Sequence, residues 1–356
     1  YDPEAPDAVE RLTLLRLVLE HGATVSEVRF ALAQHRLHTL AGELVVLAAT
    51  KRATLQEMAA NAGVDPEFSE HLWRAFGFAD SGIEPLVCSE ADENVLALFA
   101  VLAEVFDRDT ALQIARTAGA SLARMADAAI GAVRARVEAP MRTTGGDDVD
   151  VARTFVALAT DLVPRLYPMI EAVHRRHLAQ AGRRFTLWEY PASETSTAFA
   201  VVGFADLVGF TAHTQALSAA ALDEFVRAFE DIVLKALAIP GARLVKLIGD
   251  EAMFVAGDAD DAVRIAHAIT RAVGESPSLS SVRIGVAAGE LLVREGDVFG
   301  PTVNRAARLV AIAEPGSTLM DAEVASRVVT SVAVGLGTRS VPGFDAPLEV
   351  FRLASS

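Results

Sequence analysis

The spacing of hydrophobic residues changes about halfway along the chain. From about residue 7 to residue 180, apolar side chains recur every three or four positions, which predicts helices almost throughout. Thr24 with Glu27, and Thr54 with Glu57, have the spacing at which a hydroxyl and a carboxylate cap the free amide groups of a first helical turn. Both pairs therefore mark predicted helix starts.

A loop and a linker interrupt this helical half. The segment TGGDD at residues 144–148 breaks the pattern, and a long amphipathic helix is predicted from about Val149 to Gln180. The sequence AGRRFTLWEYPASE that follows looks like an interdomain linker. We therefore predict a helical domain over residues 1–180, a linker over residues 181–195 and a second domain over residues 196–356.

The pattern of the second domain predicts alternating strands and helices. After about Ser196 the order is β-α-β-β-α-β, which predicts an α+β fold: an antiparallel-containing sheet with helices on one face, the ferredoxin-like plan. Within it, VRIGVAAG and ELLVRE are expected to pair as a hairpin. Pro301 suits the first turn of the helix that follows.

Composition places the chain among globular proteins. Its 356 residues suggest about two domains, and 52% of them are hydrophobic against 22% charged. The longest apolar runs are well short of the roughly 20 residues that span a bilayer. We therefore expect a soluble protein without a membrane span, and a cytoplasmic one because no signal-peptide pattern opens the sequence.

Charge and cysteine content narrow the classes of partner. A formal net charge of −15 argues against a broad surface for nucleic acid or anionic membrane, because such surfaces need clustered Lys and Arg. The single cysteine, Cys88, cannot build a disulfide framework or a thiolate metal cluster within one chain. It is expected to be a small buried hydrophobic residue.

Two aspartates stand at the ends of predicted strands. Asp206 closes the apolar strand in FADLVGFT, and Asp250 lies at the tip of the hairpin KLIGDEAMF. Buried carboxylates are costly without partners, so two at strand ends indicate converging cations or hydrogen-bond donors. Hard oxygen ligands suit Mg²⁺ or Mn²⁺. Judged singly, each could instead be an ordinary turn or capping aspartate.

Three motifs taken together favour a metal site over ordinary turn aspartates. FADLVGFT, LVKLIGDEAMF and GDVFGPTVNRAAR stand in an order and at a spacing that resemble the class III nucleotidyl cyclases, over about residues 196–354. With its helical half, the chain resembles mycobacterial-type adenylate cyclases that carry an N-terminal autoinhibitory, pH-sensing domain. The resemblance implies a palm-type catalytic domain that forms cyclic AMP and pyrophosphate from ATP with two Mg or Mn ions.

The resemblance also implies roles for individual residues. Asn304 and Arg308 are four positions apart and so share a helix face, and the residue between them, Arg305, is expected to point elsewhere as a solvated arginine. Outside the motif context, Lys246 and Asp297 would be an ordinary strand lysine and turn residue. The implied roles are metal binding by Asp206, Asp250 and the backbone carbonyl of Leu207, adenine recognition by Lys246 and Asp297, and catalysis by Asn304 and Arg308.

The resemblance further implies a head-to-tail homodimer in which one subunit supplies the metal ligands and the other the remaining residues. This chain carries both sets, so it is expected to assemble with itself. One departure concerns the C-terminal basic residue that holds the triphosphate in the family, because the corresponding stretch here is SVPGFDAP. Arg294 is another possible cation, although a surface position is at least as plausible from the sequence.

No residue spacing in the helical half is typical of a catalytic site. By resemblance this half is regulatory, and related enzymes use such a domain to inhibit the cyclase in response to pH. His174 and His177, one turn apart near the linker, are candidate sensors because the ordinary pKa of histidine lies nearest that range. The apolar richness of this half also permits a lipid or fatty-acid ligand.

A segment of the helical half also has a DNA-binding pattern. Residues 53–78 match a helix-turn-helix, which leaves DNA recognition as an alternative. The candidate recognition helix carries Asp65, Glu67 and Glu70 against one arginine, Arg74, a poor charge balance for phosphate contacts. We therefore expect this motif to serve packing.

Two other functions remain open for the second domain. Gly249-Asp250-Glu251 matches part of the diguanylate cyclase signature, but its paired glycines and following phenylalanine are replaced here by Ile248 and Ala252. A catalytically silent nucleotide-binding regulator would require loss of a chemical residue, and none of the six named side chains is missing.

Overall fold

The computed structural model divides into two compact units, Tyr1–His174 and Arg175–Ser356, which are considered separately. The predicted domain limits stay a prediction. Of the predicted linker, residues 181–187 are helical, whereas residues 189–195 lie outside the described part of the chain. The structure describes residues 8–47, 51–78, 86–188, 197–210, 217–341 and 347–354.

The first unit is built from helices, as the three- and four-residue periodicity predicts. A π-helical turn, Arg134–Glu138, joins α7 to α8, and α9 continues past the end of the unit. The helices are α1 Ala8–Glu20, α2 Val25–Ala33, α3 Leu37–Val46, α4 Leu55–Ala62, α5 Pro66–Ala75, α6 Glu90–Val105, α7 Arg108–Val133, α8 Ala139–Thr143 and α9 Asp148–Leu187.

Both predicted capping boxes are present. Glu27 N donates to Thr24 Oγ1 at 3.3 Å and Thr24 N donates to Glu27 Oε2 at 2.6 Å, so α2 begins where the sequence indicates. Thr54 and Glu57 make the same reciprocal contacts at the start of α4. These starts are confirmed because a cap depends only on residues three apart.

The helical prediction for this unit is confirmed with one addition. Two short strands, β1 (Lys51–Ala53) and β2 (Leu86–Cys88), pair antiparallel with Lys51 opposite Cys88. Strands of three residues are too short to show a two-residue alternation in the sequence. Cys88 is 2% exposed, so its prediction as a buried residue is confirmed.

The helix-turn-helix geometry is also present, in α4 and α5. Phe68 and Leu72 of α5 are buried in a core with residues of α6 and α7, and Asp65 forms an ion pair with Arg108 at 2.9 Å. The inner face of the candidate recognition helix therefore serves packing within the unit.

The second unit contains the alternating elements. Trp188, which follows α9 directly, is 5% exposed in its core and donates from Nε1 to the carbonyl of Gly241 at 3.1 Å. The elements are β3 Thr197–Leu207, α10 Ala219–Ala236, β4 Arg243–Ile248, β5 Glu251–Ala256, α11 Ala259–Glu275, β6 Val282–Arg294, β7 Asp297–Phe299, α12 Pro301–Ile312, β8 Thr318–Asp321, α13 Ala322–Arg327, β9 Ala333–Arg339 and β10 Leu348–Leu353.

The sheet has the predicted ferredoxin-like centre. Its strand order is β4-β5-β3-β6-β8-β10-β9, with β7 paired to β6. Each neighbouring pair among the first four strands in this order is antiparallel, β8 joins β6 in parallel, and β10 and β9 extend the far edge. The α+β prediction is confirmed.

Helices pack on both faces of this sheet, so the prediction of one covered face is wrong for α12. Val201, Ala205 and Leu207 of β3 share a core with α10 and α11. The alternate residues of β3, including Val202 and Phe204, share a second core with Ala306 and Val310 of α12. Because successive strand residues point to opposite faces, α12 lies on the face opposite α10 and α11.

The predicted hairpin between VRIGVAAG and ELLVRE is wrong. These residues form the single strand β6, whose register with β3 runs without a break from Thr197 opposite Leu292 to Leu207 opposite Val282. Gly289 marks a close approach instead of a turn, because a Cβ there would lie 2.6 Å from Thr302 Oγ1 of α12.

Candidate active site

The ends of β3 and the β4–β5 hairpin bring the two predicted metal aspartates together. Leu207 N donates to the carbonyl of Asp250 at 3.2 Å, and Asp206 lies directly opposite Glu251 across the β3–β5 ladder. Gly249, with φ of +63°, allows the tight turn that carries Asp250. Both carboxylates therefore lie at one end of the sheet.

A row of charged side chains crosses this end of the sheet. Arg283 of β6 and Glu251 of β5 flank Asp206 of β3 in the strand register, so the three side chains share the face that carries α12. Sequence reasoning missed both neighbours as members of a site. The available signal was a charged residue within each of two otherwise apolar strands, VRIGVAAG and EAMFVAG.

The carboxylates of this row repel one another. Burial raises the pKa of Asp206, the charge of Asp250 raises it further, and Arg283 opposes both. Burial likewise raises the pKa of Glu251, reinforced by Asp206 and Asp250 and opposed by Lys246. A cation between these carboxylates would relieve their repulsion, and carboxylate oxygens are the ligands that Mg²⁺ and Mn²⁺ prefer.

Lys246 and Asp297 are in direct contact although they are far apart in the sequence. Lys246 Nζ donates to Asp297 Oδ2 at 2.5 Å, which joins β4 to the start of β7. Their side chains are 39% and 27% exposed. Asp297 Oδ1 also accepts from Val298 N at 2.8 Å, so the carboxylate is fixed at both oxygens. The pair presents a donor and an acceptor side by side.

Asn304 and Arg308 lie on the exposed side of α12. The helix begins at Pro301, as predicted, and Asn304 N donates to the carbonyl of Gly300 at 3.3 Å. Their four-residue spacing places both side chains on one face, available to a ligand or to another chain.

Arg305 is not the solvated arginine that the sequence predicts. It points away from the Asn304 face, as expected, but its side chain is 25% exposed and contacts Asp321 at 3.2 Å. The sequence could not show this because Asp321 lies on a different element.

The remaining candidates are the cation for the triphosphate and the two pH sensors. Arg294 is 54% exposed and lies 3.7 Å from Glu295 in the turn after β6. Residues 342–346, the middle of SVPGFDAP, lie outside the described residues. His174 and His177 are both exposed on α9.

Two protein-family models match consecutive parts of the chain. A model described as adenylate cyclase regulatory domain matches residues 4–181. A second, described as adenylate and guanylate cyclase catalytic domain, matches residues 193–343, which include all the predicted site residues.

Curated relatives extend over most of the chain. An uncharacterized protein of Mycobacterium tuberculosis is 35% identical over 97% of this chain and 90% of its own length. An adenylate cyclase of Streptomyces coelicolor is 35% identical over 85% of this chain and 77% of its own length. A pH-sensitive adenylate cyclase of Mycobacterium tuberculosis is 29% identical over 97% of this chain and 88% of its own length.

Proposed function

Since the chain belongs to the family of adenylate cyclases that join a regulatory domain to a class III cyclase catalytic domain, we propose that it converts ATP to 3′,5′-cyclic AMP and pyrophosphate. The observation that carries ATP as the substrate is the contact between Lys246 and Asp297. An ammonium donor and a carboxylate acceptor side by side match N1 and the N6 amino group of adenine. Guanine presents the opposite pattern, an N1 donor and an O6 acceptor.

The carboxylates where β3 meets the β4–β5 hairpin form the proposed metal site. Asp206 and Asp250 are the ligands we propose, with the backbone carbonyl of Leu207 as a third. Bound there, two Mg²⁺ or Mn²⁺ ions would lower the pKa of the ribose 3′-hydroxyl and neutralise charge on the triphosphate. Beside these ligands, Glu251 adds a further carboxylate, and the positive charge of Arg283 acts to lower the pKa of Asp206.

The exposed face of α12 supplies the remaining groups. Asn304 would hold the ribose by hydrogen bonds, so that the 3′-oxygen lies in line with the α-phosphorus. Arg308 would donate to the phosphate oxygens, where negative charge develops in the transition state. Neither role needs a covalent intermediate, because in-line phosphoryl displacement depends on positioning and charge stabilisation.

Members of this family typically dimerise, and we propose a head-to-tail homodimer with the sites at its interface. Support comes from the exposure of Asn304 and Arg308, which leaves their face free to meet another chain.

We also propose that the helical domain regulates the cyclase, with His174 and His177 as candidate pH sensors. Replacing both by alanine should flatten the pH profile of the full chain relative to wild type.

The lipid or fatty-acid ligand of the helical unit stays a prediction. A cavity of about 610 Å³ lies there among Val9, Leu12 and Leu17, with Arg16 and Arg153 at its wall.

Among the residues that the structure describes, no helix is both long and apolar enough to cross a membrane.

The decisive experiment is incubation of the full chain with ATP or GTP, with Mg²⁺ or Mn²⁺, followed by identification of the product. We expect cyclic AMP from ATP and much less cyclic product from GTP. A cyclic dinucleotide would favour the diguanylate cyclase alternative, and nucleotide binding without any product would favour the silent regulator.

A further inference from the structure

Arg305 lies between the two catalytic candidates of α12, but its guanidinium is directed into the protein. Nη2 donates to the carbonyl of Ala288 at 2.9 Å, and Nε donates to Asp321 Oδ2 at 3.2 Å. These contacts join α12 to β6 and to the end of β8. The helix that carries Asn304 and Arg308 is therefore held by a charged bridge on its inner side.

Asp321 is the fixed end of this bridge. Its side chain is 8% exposed, and Oδ1 accepts from Val324 N at 3.0 Å at the start of α13 and from Ala288 N at 3.4 Å. Burial raises the pKa of Asp321, while these hydrogen bonds and the charge of Arg305 oppose the rise. A buried carboxylate of this kind depends on its cationic partner.

The strand beside the bridge is shaped to admit it. A Cβ at Gly289 would lie 2.6 Å from Thr302 Oγ1 and 3.1 Å from Arg305 Nη2, so only glycine leaves room for both side chains. Thr302 Oγ1 donates to the carbonyl of Glu290 at 3.0 Å. Two polar side chains one turn apart thus bond α12 to β6.

Directional contacts of this kind restrict the rotation of a helix about its axis. The apolar contacts of the helix are made partly by small residues such as Ala306, and apolar packing is not directional, whereas hydrogen bonds weaken steeply with angle. On a helix about 10–12 Å across, a rotation of roughly 20° moves an outer side-chain atom by about 2 Å. A misplacement of about 1 Å can lower a catalytic rate about 100-fold.

We propose that Arg305, held by Asp321 and Ala288, is a positioning residue that fixes the rotation of α12 and so aims Asn304 and Arg308 at the substrate. The inference rests on the proposed function, since it assumes that these two side chains act on the nucleotide. Arg305 itself does not contact the nucleotide.

The test compares full-length Arg305→Met, Asp321→Ser and the double variant with wild type. Methionine keeps much of the side-chain length, and serine keeps a capping hydroxyl for α13. For each chain, kcat and KM for cyclic AMP formation are measured together with the Kd for 3′-deoxy-ATP, which lacks the attacking hydroxyl. Urea unfolding establishes that each chain is folded under the assay conditions.

We expect each single change to lower kcat by about 10–100-fold. KM and Kd should change less than kcat, because Lys246 and Asp297 lie outside α12 and only the ribose contact of Asn304 is disturbed. The double variant should be no slower than the slower single variant, because both changes remove one bridge. Arg305→Lys should recover part of the rate, and Asp321→Asn repeats the comparison if Asp321→Ser does not fold.

The matched control removes an ion pair from the opposite face of the sheet. Asp223 and Arg227 pair on the exposed side of α10, and the variant Asp223→Ser with Arg227→Met should keep the wild-type kcat. Folded Arg305 variants with wild-type kcat, or with equal losses of kcat and nucleotide affinity, would overturn the inference. A wild-type chain that forms no cyclic AMP would instead overturn the proposed function, and the inference with it.

Discussion

The two residues proposed to read the base are each other's partners. Lys246 Nζ and Asp297 Oδ2 are 2.5 Å apart and half-buried, so each charge faces its opposite. A base that joins this pair must offer a complementary acceptor and donor, because an unmatched buried polar group is costly. Specificity at this site therefore belongs to the pair more than to either residue.

Changing either partner should weaken the use of ATP. Lys246→Ala or Asp297→Ala should lower kcat/KM for ATP by about 10–100-fold, equivalent to the roughly 1–3 kcal/mol that a lost buried polar partner costs. Parallel kinetics with ATP and GTP check this, and the preference for ATP should fall in both variants. An unchanged ratio of the two kcat/KM values would contradict the base-reading role.

Single residues also mark the limit of sequence reasoning. Arg305 looks like a surface arginine in the sequence, and Glu251 looks like a turn neighbour of Asp250. Their partners, Asp321 and Asp206, lie on other elements, and cross-strand register brings the second pair together. A site residue whose partner is distant in the chain has no local signal.

At the scale of elements, the seating of α12 depends on a glycine in β6. A Cβ at Gly285 would lie 2.4 Å from the carbonyl oxygen of Ala306 and 2.6 Å from Val310 N. These are backbone atoms, so the helix itself would have to move. The pattern of VRIGVAAG does not distinguish this close approach from a turn.

Gly285→Ala should therefore destabilise the chain and disturb catalysis. We expect a loss of about 1–3 kcal/mol in the free energy of unfolding, the usual range for overpacking, measured by urea denaturation. The matched control is Gly274→Ala in α11, where a Cβ meets nothing within 4 Å. That change should be neutral or stabilising by up to about 1 kcal/mol. Equal effects of the two changes would refute this account.

Asp260 of α11 anchors the segment after α13. Its Oδ1 accepts from Val329 N at 3.0 Å, from Thr330 N at 2.9 Å and from Thr330 Oγ1 at 2.6 Å. Burial acts to raise the pKa of Asp260, but these hydrogen bonds outweigh it and the pKa is lowered. Because the folded-state pKa lies below the unfolded one, the stabilisation is present above the unfolded pKa.

Asp260→Ala should thus reveal a pH-dependent difference. At neutral pH the variant should lose about 1 kcal/mol of unfolding free energy, a modest value because the group is only partly buried. The difference should shrink as the pH falls below the unfolded pKa of about 4 and through the folded value. Urea titrations of both chains at neutral and acidic pH measure it, and a constant difference would argue against the ionic anchor.

At the scale of the whole molecule, the proposed catalytic residues fall into two sets. Asp206 and Asp250 lie where β3 and the β4–β5 hairpin meet, whereas Asn304 and Arg308 face outward from α12. In the proposed homodimer, each site takes one set from each subunit. The chain carries both sets, so one homodimer would contain two sites.

Complementation tests this arrangement. Asp206→Ala and Asn304→Ala chains should each be nearly inactive as homodimers. A heterodimer of the two should recover up to about half of the wild-type activity, because one of its two sites then contains only intact residues. Differently tagged chains, purified as heterodimers and assayed for cyclic AMP, provide the measurement. Demonstrated heterodimers without recovered activity would exclude a shared site.

The sequence by itself determined what depends on near neighbours. Helix caps at Thr24 and Thr54, the order of elements after Ser196 and the fold class follow from spacings of a few residues, because caps, turns and amphipathic periods are local. The motifs also named the six candidate side chains, from Asp206 to Arg308, whose roles stay a prediction.

The tertiary structure decided what depends on distant pairing. Cross-strand register placed Glu251 and Arg283 beside Asp206 and made one strand of β6 where a hairpin was expected. A side-chain contact between strands that do not pair, β4 and β7, joined Lys246 to Asp297. The tertiary structure also put α12 on the second face of the sheet. Packing and charge pairing between remote segments select these outcomes, and the sequence encodes them only through the whole fold.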